Sequence, residues 1–191
     1  MGLFGRLGPP RPPLPLTIAA PSPSIWNQAA FRREGGDPTR LYVVGHSAGG
    51  LFAALLGLEP RHLVKAGVPP GSVRGFAMLS GPYDLARLIS SSDSALAAKV
   101  RESVTEREIE RYSPERHVRS GLPPMLLLVG GDEEPFMIAE QRSMAAALRQ
   151  LGGDVTAAEI PGASHMALVM DLSRPGNQAL SELLAFIDRH P

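Results

Sequence analysis

The sequence contains no cysteine, and its charges balance, with 19 Lys and Arg residues against 19 Asp and Glu residues over 191 positions. Without cysteine the chain has neither a disulfide framework nor a thiolate metal site, which fits a reducing compartment and leads us to expect a cytoplasmic protein. A net charge of +0 and a pI near 7.0 give no basic surface for nucleic acid. No apolar run approaches the roughly 20 residues that a membrane span requires.

Several cofactor signatures are also missing. The 5 histidines are scattered along the chain and form no His-x-x-x-His pair, which argues against a metal-dependent hydrolase. The segment Gly45–Gly50 lacks the Lys-Ser or Lys-Thr that completes a phosphate-binding loop, and there is no dinucleotide fingerprint. We therefore expect no cofactor and no metal, and a small molecule as the substrate.

Proline is concentrated at the start of the chain. The segment Met1–Ser24 contains the run GPPRPPLPLTIAAPSPS and shows no hydrophobic period. Proline at this density favours polyproline II or disorder, so we interpret residues 1–24 as a disordered leader. Residues 25–191 are long enough to form one domain with a hydrophobic core.

Short apolar runs alternate with helical patterns beyond the leader. Strands are predicted at Leu41–Gly45, Val73–Ser80, Met125–Val129 and Val155–Ile160. Helices are predicted at Ile25–Glu34, Ala48–Leu58, Asp84–Ile89, Ser94–Val104, Thr105–Arg111, Phe136–Leu151 and Gln178–Arg189. This alternation indicates the α/β fold class, with a three-layer α/β/α sandwich around a mostly parallel sheet.

The segment Gly45–Gly49 reads Gly-His-Ser-Ala-Gly and connects the first predicted strand to a predicted helix. A Gly-x-Ser-x-Gly turn in this context is typical of a nucleophile elbow, which presents the hydroxyl of Ser47 at the tip of a sharp turn. We expect glycine at both ends of the turn because a side chain at either would collide as strand and helix approach. The helix N-terminus favours negative charge beside the serine. The alternative is a passive serine in a tight turn.

Candidate partners for the serine follow two later strands. In an open parallel sheet, ligands bind outside the carboxyl ends of the strands. A serine hydroxyl needs a base to take its proton, and His165, in the glycine-rich loop after the last strand, is our candidate. An acid then fixes the imidazole tautomer and stabilises the imidazolium. The chain order of serine, acid and histidine is the one expected for such a fold.

The acid is chosen from three consecutive carboxylates. Asp132, Glu133 and Glu134 follow the strand Met125–Val129, and all three cannot point at one imidazole. Loop position favours Glu133, with Asp132 second and Glu134 third. A carboxylate here is alternatively a cap for the helix that starts near Phe136.

The other four histidines are weaker candidates for the base. His46 lies beside the serine in sequence, so its side chain should point away from that of Ser47. His62 and His117 fall in helical or connecting segments, and His190 lies at the C-terminus.

Taken together, these segments resemble the alpha/beta-hydrolase superfamily, near the esterases and lipases of the kynurenine formamidase and hormone-sensitive-lipase-like groups. The resemblance extends from about Trp26 to the C-terminus, and the elbow is its most specific part. The matching runs are GGDPTRLYVVGHSAGG, LFAALLGLEPRHL, SGPYDL, VGGDE and PGASH.

The resemblance implies a role for each motif. Ser47 is the nucleophile and His165 the base, while the acid falls on Glu133, or on Asp132 because many relatives carry aspartate there. The N–H of Ala48 belongs to the elbow and supplies one donor of the oxyanion hole.

Substrate specificity is expected from the segment Asp84–Leu122 and from the N-terminal part that the chain lacks relative to the family, and two further residues are expected at the mouth of the pocket. The resemblance places Tyr83 and Asp84 there, with Tyr83 as a candidate substrate contact.

The sequence also departs from the family. No His-Gly-Gly loop precedes the elbow to supply the remaining oxyanion donors, and too few residues precede Leu41 for the early strands. We therefore expect a hydrolase that lacks its first strands, with Leu41–Gly45 as an exposed apolar edge through which the chain forms a homo-oligomer.

Three hypotheses for function follow. The first is a serine hydrolase acting on a carboxylic ester, or on an N-formyl amide as arylformamidases do. The second is a non-catalytic remnant. The third is an interaction module whose partner adds a strand to the sheet edge.

Overall fold

The computed structural model describes residues 16–17, 32–69, 71–91 and 95–191. Most of the segment interpreted as a disordered leader lies outside the described residues. So does most of the helix predicted over Ile25–Glu34. Both predictions are therefore left as they stand.

The described elements match the predicted ones closely. The strands are β1 Leu16–Thr17, β2 Leu41–His46, β3 Val73–Leu79, β4 Met125–Gly130 and β5 Val155–Ile160. The helices are α1 Ala48–Leu58, α2 Arg61–Lys65, α3 Leu85–Ser91, α4 Ala95–Ser103, α5 Glu106–Tyr112, a 3₁₀ turn Pro114–His117, α6 Pro135–Gln150, α7 Ala167–Met170 and α8 Gln178–Arg189. The bounds of β2 to β5 and of the predicted helices within the described residues agree to within two residues. The short helices α2 and α7 were not predicted.

The five described strands form one sheet in the order β1-β2-β3-β4-β5, and every neighbouring pair is parallel. One row of the register runs through Val43, Phe76, Met125 and Val155. Parallel neighbours need a crossover connection, which α1, the α3–α5 insert and α6 supply after β2, β3 and β4. The carboxyl ends of the strands consequently meet at one edge of the sheet.

The side chains of the strands alternate between two hydrophobic layers. Met125 and Leu127 pack with α1 and α6 on one face, whereas Leu126 and Leu128 pack with α7 and α8 on the other. All four of these side chains are fully buried, because β4 lies in the middle of the structure. The predicted three-layer sandwich with a parallel sheet is confirmed.

The strand β2, which was predicted to be an exposed edge, differs from that prediction. The strand β1 pairs with it at Tyr42 and Val43, and the side chains of Leu41, Tyr42 and Val43 are at most 8% exposed. The hydroxyl of Tyr42 also donates to the carbonyl of Ile187 in α8, at 3.2 Å. The exposed apolar edge expected over Leu41–Gly45 is therefore wrong for its first three residues, which are covered.

A buried carboxylate anchors the segment that follows β3. Glu140 of α6 is fully buried and accepts hydrogen bonds from the backbone N–H groups of Tyr83 and Asp84, each at 2.7 Å. Its other oxygen accepts from Arg87 of α3, also at 2.7 Å. Arg87 binds Glu115 in the 3₁₀ turn at 3.0 Å as well. These bonds fix the loop at the carboxyl end of β3 and the start of the insert to the body of the fold.

Candidate active site

Ser47 lies between β2 and α1 in a strained backbone conformation. Its φ of 57° and ψ of −121° are unusual for a residue with a side chain. The surroundings hold this geometry, because the N–H of Ser47 donates to the carbonyl of Leu79 in β3 at 2.8 Å. Strain of this kind persists only where neighbouring structure imposes it, and it is concentrated at functional sites. The predicted sharp turn is therefore present.

The two glycines of the motif have different reasons to be glycine. A Cβ on Gly45 would lie 2.0 Å from the carbonyl oxygen of Gly49, which no backbone can accommodate. A Cβ on Gly49 meets no described atom within 4 Å, so the collision predicted there is wrong. The second close approach is instead at Gly50, where a Cβ would lie 3.1 Å from the Cα of Gly81.

Ala48 is the first residue of α1 and is exposed. The N–H groups of the first helical turn have no acceptor within the helix, so this one is free to donate to a ligand beside Ser47. The positive end of the helix dipole acts in the same direction.

The loops after β4 and β5 bring an acid and an imidazole together. The Oε2 atom of Glu133 lies 2.8 Å from Nδ1 of His165. The Oε1 atom accepts from the N–H of Gly130 at 2.9 Å and from the hydroxyl of Ser80. The side chain of Glu133 is only 1% exposed, whereas that of His165 is 37% exposed. The carboxylate is thus fixed on both oxygens while the imidazole remains accessible.

The other two carboxylates of the run do not reach His165. Asp132 and Glu134 are exposed. Glu134 occupies the cap position of α6, but its side chain accepts no hydrogen bond from that helix. Of the three candidate acids, the structure brings only Glu133 to the imidazole.

The loops that carry Glu133 and His165 pack directly against each other. A Cβ on Gly130 would lie 2.1 Å from the carbonyl oxygen of Ala163, so only glycine fits there. The N–H of Asp132 donates to the same carbonyl at 3.1 Å. These contacts set the distance between the acid and the imidazole.

Sequence reasoning missed Ser80. It is 2% exposed, and its φ of 49° is rare for a serine. Its N–H donates to the carbonyl of Leu128 at 2.7 Å, and its hydroxyl donates to Glu133. Its place at the carboxyl end of β3, next to β4, was the signal that pointed to this contact.

His46 also has a contact that the sequence did not suggest. Its Nε2 atom lies 2.8 Å from the carbonyl oxygen of His165, and the two imidazole rings are 4.6 Å apart between centroids. Burial lowers the pKa of His46; the neighbouring His165 acts in the same direction, and the hydrogen bond and Glu133 oppose it. The ring therefore packs against the loop that carries the candidate base.

Tyr83 does not lie where the resemblance placed it. Its side chain is fully buried in the core between the sheet, α1 and α6, and burial raises the pKa of its hydroxyl. The prediction that it lies at the mouth of a pocket is therefore wrong. Asp84 beside it caps α3, accepting from the N–H of Ala86 at 2.9 Å.

The three remaining histidines have partners elsewhere. His62 contacts Glu59 at 2.8 Å, His117 contacts the carbonyl of Arg111 at 2.9 Å, and Nδ1 of His190 lies 3.7 Å from Asp154. None of these partners belongs to the loops around Ser47.

Two other kinds of site are absent from the described residues. In those residues no three His, Cys, Asp or Glu side chains are arranged to hold a metal ion. None of the helices in the same part of the chain is both long and apolar enough to span a bilayer.

Comparison with known proteins gives a family and several esterases. A family model described as the alpha/beta hydrolase fold matches residues 19–169. The chain is 29% identical over 168 residues to Esterase LipC of Mycobacterium tuberculosis. This match covers 81% of this chain and 41% of that protein. It is also 29% identical over 154 residues to a probable isoprenylcysteine alpha-carbonyl methylesterase of Arabidopsis thaliana. That match covers 71% of this chain and 32% of the methylesterase. The chain thus spans less than half the length of these curated relatives.

Solved structures show the same fold. A thermophilic esterase of Thermogutta terrifontis superposes on 85% of this chain and 58% of its own, with a TM-score of 0.58 and 24% identity. An acylaminoacyl peptidase of Pyrococcus horikoshii superposes on 85% of this chain and 26% of its own, with a TM-score of 0.62 and 15% identity.

Proposed function

The chain belongs to the alpha/beta hydrolase family, and from that membership and the geometry of the site we propose that it is a carboxylic ester hydrolase with Ser47 as its nucleophile. One observation carries this proposal. The buried carboxylate of Glu133 holds the imidazole of His165 at the same edge of the sheet as the strained turn at Ser47. A serine, a histidine and an acid so placed suit acyl transfer.

The proposed reaction proceeds through an acyl-enzyme. The Oγ of Ser47 attacks the ester carbonyl carbon while Nε2 of His165 takes the hydroxyl proton. Nδ1–H of His165 donates to Glu133, which keeps Nε2 unprotonated in the resting state and stabilises the imidazolium. The imidazolium then gives its proton to the departing alkoxide, so that the carbon–oxygen bond breaks and alcohol leaves. Water, activated by the same imidazole, attacks the acyl group and releases the acid and Ser47.

Two features of the site bear on the rate. No hydrogen bond joins the Ser47 hydroxyl to the His165 ring among the described residues, and such bonds are often long before substrate binds. The N–H of Ala48 provides one donor for the oxyanion. Loss of one donor costs about 10²–10³ in rate, so we expect slow turnover if no second donor is supplied.

The choice of ester over N-formyl amide rests on the relatives. The two curated proteins described above carry esterase names, and their identity to this chain extends over most of its length. An alkoxide also leaves more readily than an amide nitrogen, which suits a site with one assigned oxyanion donor. A panel of p-nitrophenyl esters of increasing acyl length, with an N-formyl anilide beside it, separates the two alternatives.

Intact-mass labelling with a fluorophosphonate tests the proposal. We expect one adduct on the wild type and none on Ser47→Ala, because only an activated serine attacks the phosphorus. Ser181→Ala is the matched control, since Ser181 is an exposed serine on α8. It should label as the wild type does.

Two results would contradict the proposal. An adduct that persists in Ser47→Ala would place the reactive group elsewhere. No adduct on folded wild-type protein would mean that the constellation is inherited without activity, which favours the remnant or the interaction module.

A further inference from the structure

His46 joins the two halves of the candidate site. We propose that it is a positioning residue, which fixes the loop of the base His165 to the turn of the nucleophile Ser47. The inference rests on the proposed function, because positioning has a catalytic meaning only if these two residues react. The Gly-x-Ser-x-Gly motif leaves the residue at this position open.

The hydrogen bond has a defined direction. The acceptor is the backbone carbonyl of His165, which cannot donate, so Nε2 of His46 must carry the hydrogen at 2.8 Å. Ser47 follows His46 directly in the chain. A single hydrogen bond therefore connects the backbone of the base to the residue beside the nucleophile, across a separation of 119 positions.

The loop of the base needs such a tie. The ring of His165 is more than a third exposed, and its one described side-chain hydrogen bond is through Nδ1 to Glu133. That bond sets one edge of the ring, and the contacts of Ala163 with the loop of Glu133 hold the chain two residues before His165, but neither holds the backbone of His165 itself. The bond from His46 holds the backbone, and the contact of the two rings limits rotation. Together they keep Nε2 of His165 directed at one place.

The expected effect follows from the demands of proton transfer. A misplacement of about 1 Å at a reacting group can reduce the rate by about 100-fold. His46 touches neither the ester nor the transferred proton, so its loss should lower kcat and leave KM nearly unchanged.

A matched pair of substitutions tests the hydrogen bond itself. In His46→Gln the amide nitrogen stands near the position of Nε2 and keeps the donor. In His46→Met the side chain has similar length and volume but no N–H group. We expect the rate of fluorophosphonate labelling, and kcat for p-nitrophenyl butyrate, to fall by about 100-fold in the methionine variant and by only a few-fold in the glutamine variant.

His46→Asn is a second variant in case the methionine variant does not fold. Its amide is one bond too short to reach the carbonyl of His165, although it is as polar as glutamine. Circular dichroism and thermal unfolding establish that each variant is folded before its rate is compared. Equal rates in the glutamine variant and in a folded variant without the donor would overturn the proposal.

A measurement that does not depend on activity separates this inference from the proposed function. In the Ser47→Ala background, nitrogen-15 NMR of the imidazoles reports the tautomer of His165. The Nδ1–H bond to Glu133 sets this tautomer, and that bond depends on the backbone of His165 staying in place. We therefore expect a single Nδ1–H tautomer when His46 is present or when His46→Gln keeps the donor, and an averaged tautomer once the donor is lost and the loop shifts. If the wild type is not labelled but the tautomer responds in this way, the proposed function fails, and His46 is shown to position the His165 loop without a catalytic consequence. An unchanged tautomer in the methionine and asparagine variants would refute the positioning role.

Discussion

The orientation of the candidate acid depends on single hydrogen bonds from neighbouring strands. The Oε1 atom of Glu133 accepts hydrogen bonds from the hydroxyl of Ser80, directly after β3, and from the N–H of Gly130 at the end of β4. Its Oε2 atom is left to contact His165. Each donor comes from a different strand end. The position of the Glu133 carboxylate therefore depends on the register between β3 and β4, which fixes the distance between the two donors.

Removing the hydroxyl of Ser80 should weaken both stability and labelling. In Ser80→Ala the buried carboxylate of Glu133 loses a donor, and we expect the free energy of unfolding to fall by about 1–3 kcal/mol. Urea denaturation measures this loss, and fluorophosphonate labelling should slow with it. Ser181→Ala, at an exposed position, is the control and should change neither. A variant of Ser80 as stable and as reactive as the wild type would show that the hydroxyl contributes nothing.

The lowered pKa of His46 makes stability depend on pH. Burial favours its neutral form in the fold, so below its ordinary pKa of about 6.5 the unfolded chain binds more protons than the folded one. The free energy of unfolding therefore decreases as the pH falls below about 6.5. The groups that face the ring are His165 and Glu133. We expect wild type to lose more stability than His46→Gln between pH 8 and pH 5 in urea denaturation, and equal losses would contradict this.

The sequence predicted contacts between residues that follow neighbouring strands, but it did not predict contacts or burial that depend on distant parts of the chain. The contact between Glu133 and His165 was anticipated because residues after parallel strands meet at one edge. His46 and Ser80 were missed because their partners lie 119 and 53 positions away. Tyr83 was misplaced because burial depends on the packing of α1 and α6, which no local pattern reports.

At the scale of secondary structure, sequence patterns were sufficient for the long elements. Buried strands appear as continuous apolar runs, and helices are bounded by glycine and proline. The short helices α2 and α7 have 5 and 4 residues, too few to show a period. The packing of strand on helix at the elbow was predicted only in part, since Gly50 rather than Gly49 makes the second close approach.

The elbow offers a matched pair of glycine substitutions. In Gly45→Ala the new methyl would meet the backbone of Gly49, and we expect a loss of about 3 kcal/mol or failure to fold. In Gly49→Ala the methyl meets no described atom, and the better helix propensity of alanine should stabilise α1 by up to about 1 kcal/mol. Thermal unfolding of both variants measures the difference. Similar melting temperatures would refute this account of the turn.

The insert between β3 and β4 depends on the buried carboxylate of Glu140. In Glu140→Ala the N–H groups of Tyr83 and Asp84 lose their acceptor and Arg87 loses a partner, so we expect a loss of about 3 kcal/mol. Arg142→Ala, also on α6, removes an exposed ion pair and should cost at most about 1 kcal/mol. Urea denaturation measures both losses. Equal losses would mean that the buried network is no more important than a surface pair.

For the molecule as a whole, sequence was enough for the class of fold and the order of the catalytic candidates. The alternation of apolar runs and helical patterns predicted the parallel sandwich, which the structure confirms. The cover over the first residues of β2 was not predicted, because it comes from a strand of two residues within a proline-rich segment. Association through the remainder of that edge stays a prediction, for which size-exclusion chromatography with light scattering is the measurement.

The bond between His46 and His165 also has a consequence for folding. It closes a loop of 119 positions, and closure over such a separation is entropically costly until the intervening strands are paired. We therefore expect Ser47 to meet its base only after the strands from β2 to β5 have paired. A partly folded chain would carry the nucleophile without its reactivity. We expect acylation of Ser47 to require the completed fold, so reactivity would report that folding has finished.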